Sequence, residues 1–243
     1  MRSQIKAKSI LLAVAALLIA TGGCEKNEEL TYIKNRGTVT DVDGNTYKTI
    51  TIGHPFLDMG TQEWMAENLT VTKFRDGTPI PMATTVQAWH DEVQNPTPQF
   101  AWNNYNAQSK GAPYGAFYNY YTTVDPKGLC PEGWRVPTID DWEKLCIIIG
   151  GHSNAGGKLK SLSSSWISPN IDATDEFEFG ALPGGLISGN GTQIFEGEMA
   201  WFWSSTASNE GFAYGFGATN IDAILGWSEQ PKWDGRNIRC IKE

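Results

Sequence analysis

The densest concentration of chemistry-bearing side chains is LCPEGWRVPTIDDWEKL, residues 129–145, which holds Cys130 and the acids Glu132, Asp140, Asp141 and Glu143. Carboxylates gathered this way could do general acid–base chemistry if a shared cleft pushed their pKa values apart. The same spacing also describes a helix entrance. Thr138 can cap, Asp141 stands three residues on, the apolar residues Trp142, Leu145, Cys146 and Ile149 share one face, and Gly150-Gly151 ends the run. Three of the four acids then lie in a first helical turn, where exposed N–H groups and the dipole favour negative charge. A short helix over about 138–149 is therefore expected, and no catalytic group.

Metal and nucleotide chemistry find less support. His54, His90 and His152 are scattered with no paired spacing, so no zinc site is expected, and His90-Asp91-Glu92 reads as polar loop. DVDGN, 41–45, has the acids of a calcium loop, but its glycine is fourth rather than sixth and the twelfth residue is Ile52, not a bidentate acid. It reads as a hairpin turn. No G-x-S-x-G, phosphate-loop or dinucleotide motif occurs, and GALPGG and GNG are turns between strands. No cofactor and no enzymatic activity are expected.

The elements that must position these residues are mostly strands. The 243 residues are 40% hydrophobic, enough for a core, and 26 glycines with 10 tryptophans suit a turn-rich fold filled by aromatics. TVTDVDGNTYKTITI, 38–52, alternates around its turn; QEWMAENLTV (62–71), FEFGALPGG (177–185), AWFWSST (200–206), FAYGFGAT (212–219) and RNIRCIK (236–242) read as further strands. ISGNGTQIF, 187–195, reads as a hairpin, and YGAFYNYYTTV, 114–124, fits strand or short helix equally. Residues 82–111 and the stretches AGGKLKS and SSSW read as loop. Trp134, Trp142, Trp201 and Trp203 lie in regular elements and are assigned to the core. A formal charge of −8, with no basic run beyond the first eight residues, argues against a nucleic-acid partner.

The N-terminus has the pattern of a targeting segment. Arg2, Lys6 and Lys8 precede an apolar run of 11 residues, Ile10 to Ala20, too short to span a bilayer and of signal-peptide length. TGGC follows and resembles a bacterial lipobox, with Thr21 where leucine is usual. Residues 1–23 are then a signal peptide and Cys24 the lipidated residue, and the formal charge falls from −8 to −11 as three cations leave. Residues 24–36 read as a tether whose EKNEEL resembles the surface-export signal of Bacteroidota lipoproteins. The expected location is the outer membrane, held by a lipid anchor on Cys24, with the outer face favoured. In an oxidising compartment Cys130, Cys146 and Cys240 should give one disulfide and one thiol.

Taken in order, GNTYKTITIG, EWMAENL, DGTPIP, YGAFYNYY, GLCPEGWRVPTIDDWEKL, GGKLKS, FGALPGG, WFWSST and RNIRCIK resemble the Fibrobacter succinogenes major paralogous domain over residues 37–243. The resemblance implies a single α+β, C-type-lectin-like domain: mostly antiparallel strands, one clear short helix and long loops. It further implies a terminal strand returned beside an early one, tied by Cys130–Cys240. The formylglycine-generating enzymes share that architecture, but their chemistry needs a C-terminal cysteine pair and RNIRC has one. No activity transfers with the resemblance.

Lectin-like folds hold ligands in long loops, where exposed aromatics beside Asn, Asp and Glu meet sugars. Two segments have that composition: 89–106, with Trp89, Trp102, Asn103 and Tyr105, and 220–234, with Asp222, Trp227, Glu229, Trp233 and Asp234. Glu-Pro-Asn, Gln-Pro-Asp and Trp-Asn-Asp do not occur, which disfavours calcium-dependent binding. The expected function is a binding or adhesion module for a glycan or a surface protein. The alternative is a structural subunit of a surface assembly.

Overall fold

The computed structural model describes residues 32–93, 96–108 and 113–243. The expected signal peptide (1–23), the lipidation site Cys24 and the tether up to residue 31 lie outside the described residues. The tether does not extend to 36, because β1, Ile33–Thr40, is already strand.

β1 pairs antiparallel with β2, Thr46–Gly53, and Asp41 builds the turn between them. Its Oδ1 accepts the Asp43 and Asn45 amides at 2.9 Å, and its Oδ2 accepts Asn45 Nδ2 at 2.9 Å and the Tyr47 hydroxyl at 2.5 Å. Gly44 takes φ +85°, which favours glycine. Both oxygens of this carboxylate serve its own loop, so DVDGN is a hairpin turn.

β2 pairs with β3, Thr61–Met65, where the strand expected over 62–71 stops. Beyond it the chain gives its amides to the C-terminal segment: Met65 N donates to Cys240 O at 2.9 Å and Leu69 N to Ile238 O at 3.0 Å. β6, Trp134–Arg135, and the last strand β12, Ile241–Lys242, complete the order β1-β2-β3-β12-β6. Cys130 and Cys240 are bonded across 110 residues of sequence, as the resemblance implied. Cys146 is a buried free thiol, pushed up to about 12 by burial and the nearby Glu143.

Three small antiparallel sheets complete the strands: β4 (Phe100–Trp102) with β5 (Ala116–Tyr118), β7 (Leu186–Ile187) with β8 (Gln193–Ile194), and β9 (Met199–Ala207), β10 (Phe212–Thr219) and β11 (Gly226–Pro231) in the order β11-β10-β9. Alternation along β9 sends Phe202 into one hydrophobic cluster, with Trp64 and Trp142, and Trp203 into another, with Tyr118 and the disulfide. Trp201 is half-buried and lies across Gly215 and Gly217, where a Cβ would meet its indole at 2.6 and 2.0 Å.

Among the described residues four α-helices stand where the sequence announced one clear helix. α1 (Val86–Asp91), capped by Thr85, occupies part of the stretch read as loop and contains His90 and Asp91. The ambiguous segment 114–124 is both things in turn, β5 and then α2 (Tyr120–Thr123), capped by Asn119. α3 is Ile139–Ile148, with the Thr138–Asp141 capping box formed and Trp142, Leu145 and Cys146 buried. Trp142 stacks on Phe216 and Phe202, with ring centroids at 5.4 and 5.6 Å. α4 (His152–Leu159) replaces the loop expected at AGGKLKS. Gly156 and Gly157 argue against a helix by propensity. Close approach selects them instead: a Cβ would lie 2.2 Å from Ile224 O and 2.5 Å from Asp172 O.

FEFGALPGG is not a strand. Phe177 and Phe179 are buried, but Glu178 takes φ +53° and the stretch makes isolated bridges alone, Ala181 to Lys160 and Gly185 to Ala200. Lys160 is itself fully buried, and its ammonium donates to Ile171 O, Thr219 O and Asp222 O at 2.7, 2.9 and 2.7 Å. Among the described residues no helix is long and apolar enough to cross a membrane.

Candidate functional site: a polar cleft at the C-terminal segment

The acids of residues 129–145 stand in different surroundings. Asp141 accepts both Arg135 Nη groups, at 2.6 and 2.9 Å, and the Thr138 amide at 2.7 Å. Burial would raise its pKa, but Arg135 and Thr138 outweigh that and hold it below the usual carboxylate value. Glu143 meets His152 Nε2 at 2.8 Å, while Glu132 and Asp140 are exposed.

Residues of the two aromatic segments come together on the β7–β8 hairpin. Trp89 is fully buried and its Nε1 donates to Trp233 O at 3.2 Å. Trp233 is half-buried against Gly189, where a Cβ would meet its ring at 2.2 Å. The Tyr105 hydroxyl donates to Gly191 O at 2.5 Å, and Asn103 Oδ1 accepts from Gln193. Asp234 is buried, with its carboxylate 3.2 Å from Arg236. Trp227, 49% exposed on β11, packs edge-on against Tyr214. Trp89, Asn103, Tyr105, Trp233 and Asp234, expected as possible ligand contacts, thus all make contacts within the protein. Trp89 Nε1, the Tyr105 hydroxyl, Asn103 Oδ1 and the Asp234 carboxylate each have a protein partner, while Tyr105 and Trp233 are half-buried.

Trp102 is the exception. It is buried in its cluster, yet it borders an open cleft of about 440 Å³ with Asp43, Asn45, Thr70, Thr72 and Met82. A second cleft of about 410 Å³ shares Asn45 and Thr70 and adds Thr46, Tyr47, Glu67, Asn68 and Arg239. The two adjoin at Asn45 and Thr70, and this grooved surface lies between the β1–β2 turn, the chain after β3 and the C-terminal segment.

The groove is lined with positioned polar groups. The Tyr47 hydroxyl donates to Asp41 and accepts the Thr70 amide at 3.0 Å, and burial with the Asp41 charge raises its pKa strongly. Asp43 Oδ2 accepts the Thr72 amide and hydroxyl at 2.6 and 2.8 Å, and Oδ1 lies 3.0 Å from Lys73 Nζ. Burial pulls the Asp43 pKa upward, but Thr72 and Lys73 outweigh it and the carboxyl sits below its ordinary value. Glu67 Oε2 accepts the Lys48 amide at 2.7 Å. Asn68 accepts Arg239 Nε at 2.5 Å and donates to Tyr114 O at 2.7 Å. Arg239 also reaches Met65 O, Phe179 O and Gly180 O, and its guanidinium lies 4.7 Å from the Phe179 ring centroid. None of Asn45, Glu67, Asn68, Thr70 or Arg239 was singled out from the sequence. They are far apart in the chain and carry no shared motif. Among the described residues no three His, Cys, Asp or Glu side chains gather as a metal site would require.

Small antiparallel sheets, a C-terminal strand clamped beside β3 and a polar groove at that junction define a mixed α and β domain. The chain belongs to the Fibrobacter succinogenes major domain family, whose model matches residues 57–242. The β1–β2 hairpin, which supplies Asn45, Thr46 and Tyr47 to the groove, lies upstream of that match. No curated protein and no solved structure matches the chain.

Proposed function

We propose that this is a lipid-anchored binding module of the outer membrane, displayed on its outer face, and that the groove at Asn45, Thr70 and Arg239 is its ligand site. We read the domain as C-type-lectin-like: the C-terminal strand returns beside β3, a disulfide ties it there, and long loops surround the sheets. The observation that carries the functional reading is the joined pair of clefts, walled by amide, hydroxyl and carboxylate groups with Trp102 at one end. Fixed hydrogen-bonding groups in a concave site suit a hydroxyl-rich ligand such as a glycan. Its carboxylates are committed to backbone amides and hydroxyls, so the proposed role is binding and not catalysis.

Saccharide screening followed by amide NMR tests this reading. Shifts are expected at Asn45, Asn68 and Thr70, and a glycan whose shifts instead cluster around Trp227 would move the site elsewhere. A second reading, a subunit of a surface assembly, is favoured by an apolar patch. Leu162, Ile167, Ile171, Phe195 and Ile221 are all exposed, and Asn220 links several of their loops by donating to Ile167 O and accepting the Ile171 amide. Co-purification of a stable partner lost on Ile221→Lys would support it.

A further inference from the structure

We infer that the groove takes its ligand through an anionic group seated against Arg239, so that the ligand class is an acidic saccharide rather than a neutral one. This rests on the reading of the groove as the ligand site. Arg239 is 1% exposed yet borders the cleft. A guanidinium carries five N–H donors. Four are used here: Nε by Asn68, Nη1 by Met65 O and Phe179 O, and one on Nη2 by Gly180 O at 2.9 Å. The fifth, also on Nη2 and so beside Gly180 in the cleft wall, has no protein partner among the described residues.

All the groups that hold this cation directly are uncharged. They are three carbonyls, one amide oxygen and the faces of Phe179 and Phe202, at 4.7 and 5.5 Å. The acids whose charge it feels are Asp175 and Glu67, and neither forms an ion pair with it; Asp175 accepts the Gly180 amide and Glu67 the Lys48 amide. Burying a guanidinium without a counter-ion is unfavourable, and the fold already bears that desolvation. A carboxylate entering the cleft would then gain a charge-assisted hydrogen bond to a preorganised donor. Asn45 and Thr70, where the two clefts meet, are placed to receive the hydroxyl groups beside it. Glu67 on the same wall opposes an anion, so it tempers the preference.

The test is titration of the purified chain with D-glucuronate, its uncharged methyl ester and D-glucose, read by calorimetry and by amide shifts at Asn45, Asn68 and Gly180. Glucuronate is expected to bind about tenfold or more tightly than either neutral probe, the scale of one charge-assisted hydrogen bond. Glu67→Gln, which removes the opposing charge and leaves the Arg239 contacts in place, should strengthen glucuronate binding by about threefold, a modest charge effect at a partly exposed site. Equal binding of the acid and its ester within the cleft would overturn the anionic preference while leaving the groove as the ligand site. No cleft shift with any of the three would overturn both.

Discussion

Arg236 and Arg239 stand on the same C-terminal segment, and both are buried, yet the fold accommodates the two charges differently. Arg236 has a counter-ion: Nη2 lies 3.2 Å from Asp234, Gln230 accepts a further hydrogen bond, and the guanidinium stacks 4.5 Å from the Trp203 ring. Burial lowers its pKa to about 10 and raises that of Asp234. Arg239 has only dipoles and ring faces, and burial lowers it further, to about 9, so both remain cations at neutral pH. A charge neutralised inside the protein is structural. A charge held by carbonyls at a cleft wall keeps part of its field for whatever enters the cleft.

The largest effect should come from removing what holds both arginines in place. Cys130→Ser with Cys240→Ser releases a loop of 110 residues and should cost about 4–5 kcal/mol in denaturant unfolding if chain entropy governs. An unchanged midpoint would mean that packing alone seats the C-terminal segment. Arg236→Met comes next. It strands the buried Asp234 carboxylate and should cost about 3–5 kcal/mol at neutral pH, with Asp234→Asn in the same chain restoring much of the loss. If the double variant is no more stable than the single, the ion pair is not what separates the two sites.

Arg239→Met should cost less, about 2–3 kcal/mol, because it leaves neutral carbonyls unpaired and water in the cleft can reach Gly180 O. Asp234→Asn should bring it no relief, and a loss larger than that of Arg236→Met would break the comparison.

The smallest effect belongs to a surface pair, His152 with Glu143. Burial lowers the His152 pKa, but its bonds to Leu225 O and Glu143 outweigh that and leave it raised from 6.5. A raised folded value means stability present below the unfolded value and lost as pH rises through the folded one. His152→Gln should therefore cost under about 1 kcal/mol in mild acid, with the difference vanishing in alkali. A gap that widens with pH would contradict the assignment.

Legibility from the sequence followed the range of the physics. The Thr138–Asp141 cap, the apolar face of α3 and the Asp41 turn rest on contacts within a few residues, and each was readable where it stands. The β7–β8 hairpin around Asn190-Gly191 was readable for the same reason. α4 was missed because its two glycines answer to Ile224 and Asp172, not to their own neighbours. The packing of the aromatic loops was illegible for a related reason. Trp89, with its indole N–H, fits an exposed polar loop equally well, until the position of the hairpin carrying Gly189 is known.

Composition and short-range pattern by themselves determined the turn-rich, strand-dominated class, the capped helix and its buried tryptophan. The order of nine motifs determined the family, and through it the Cys130–Cys240 pairing. Tertiary structure alone decided where a ligand could sit, because the groove joins residues 171 positions apart, Asn68 and Arg239, through the return of the last strand to β3. Charge, hydrogen-bonding capacity and burial are properties of place. A sequence states which groups exist, and the closure of the sheet states which of them face the same water.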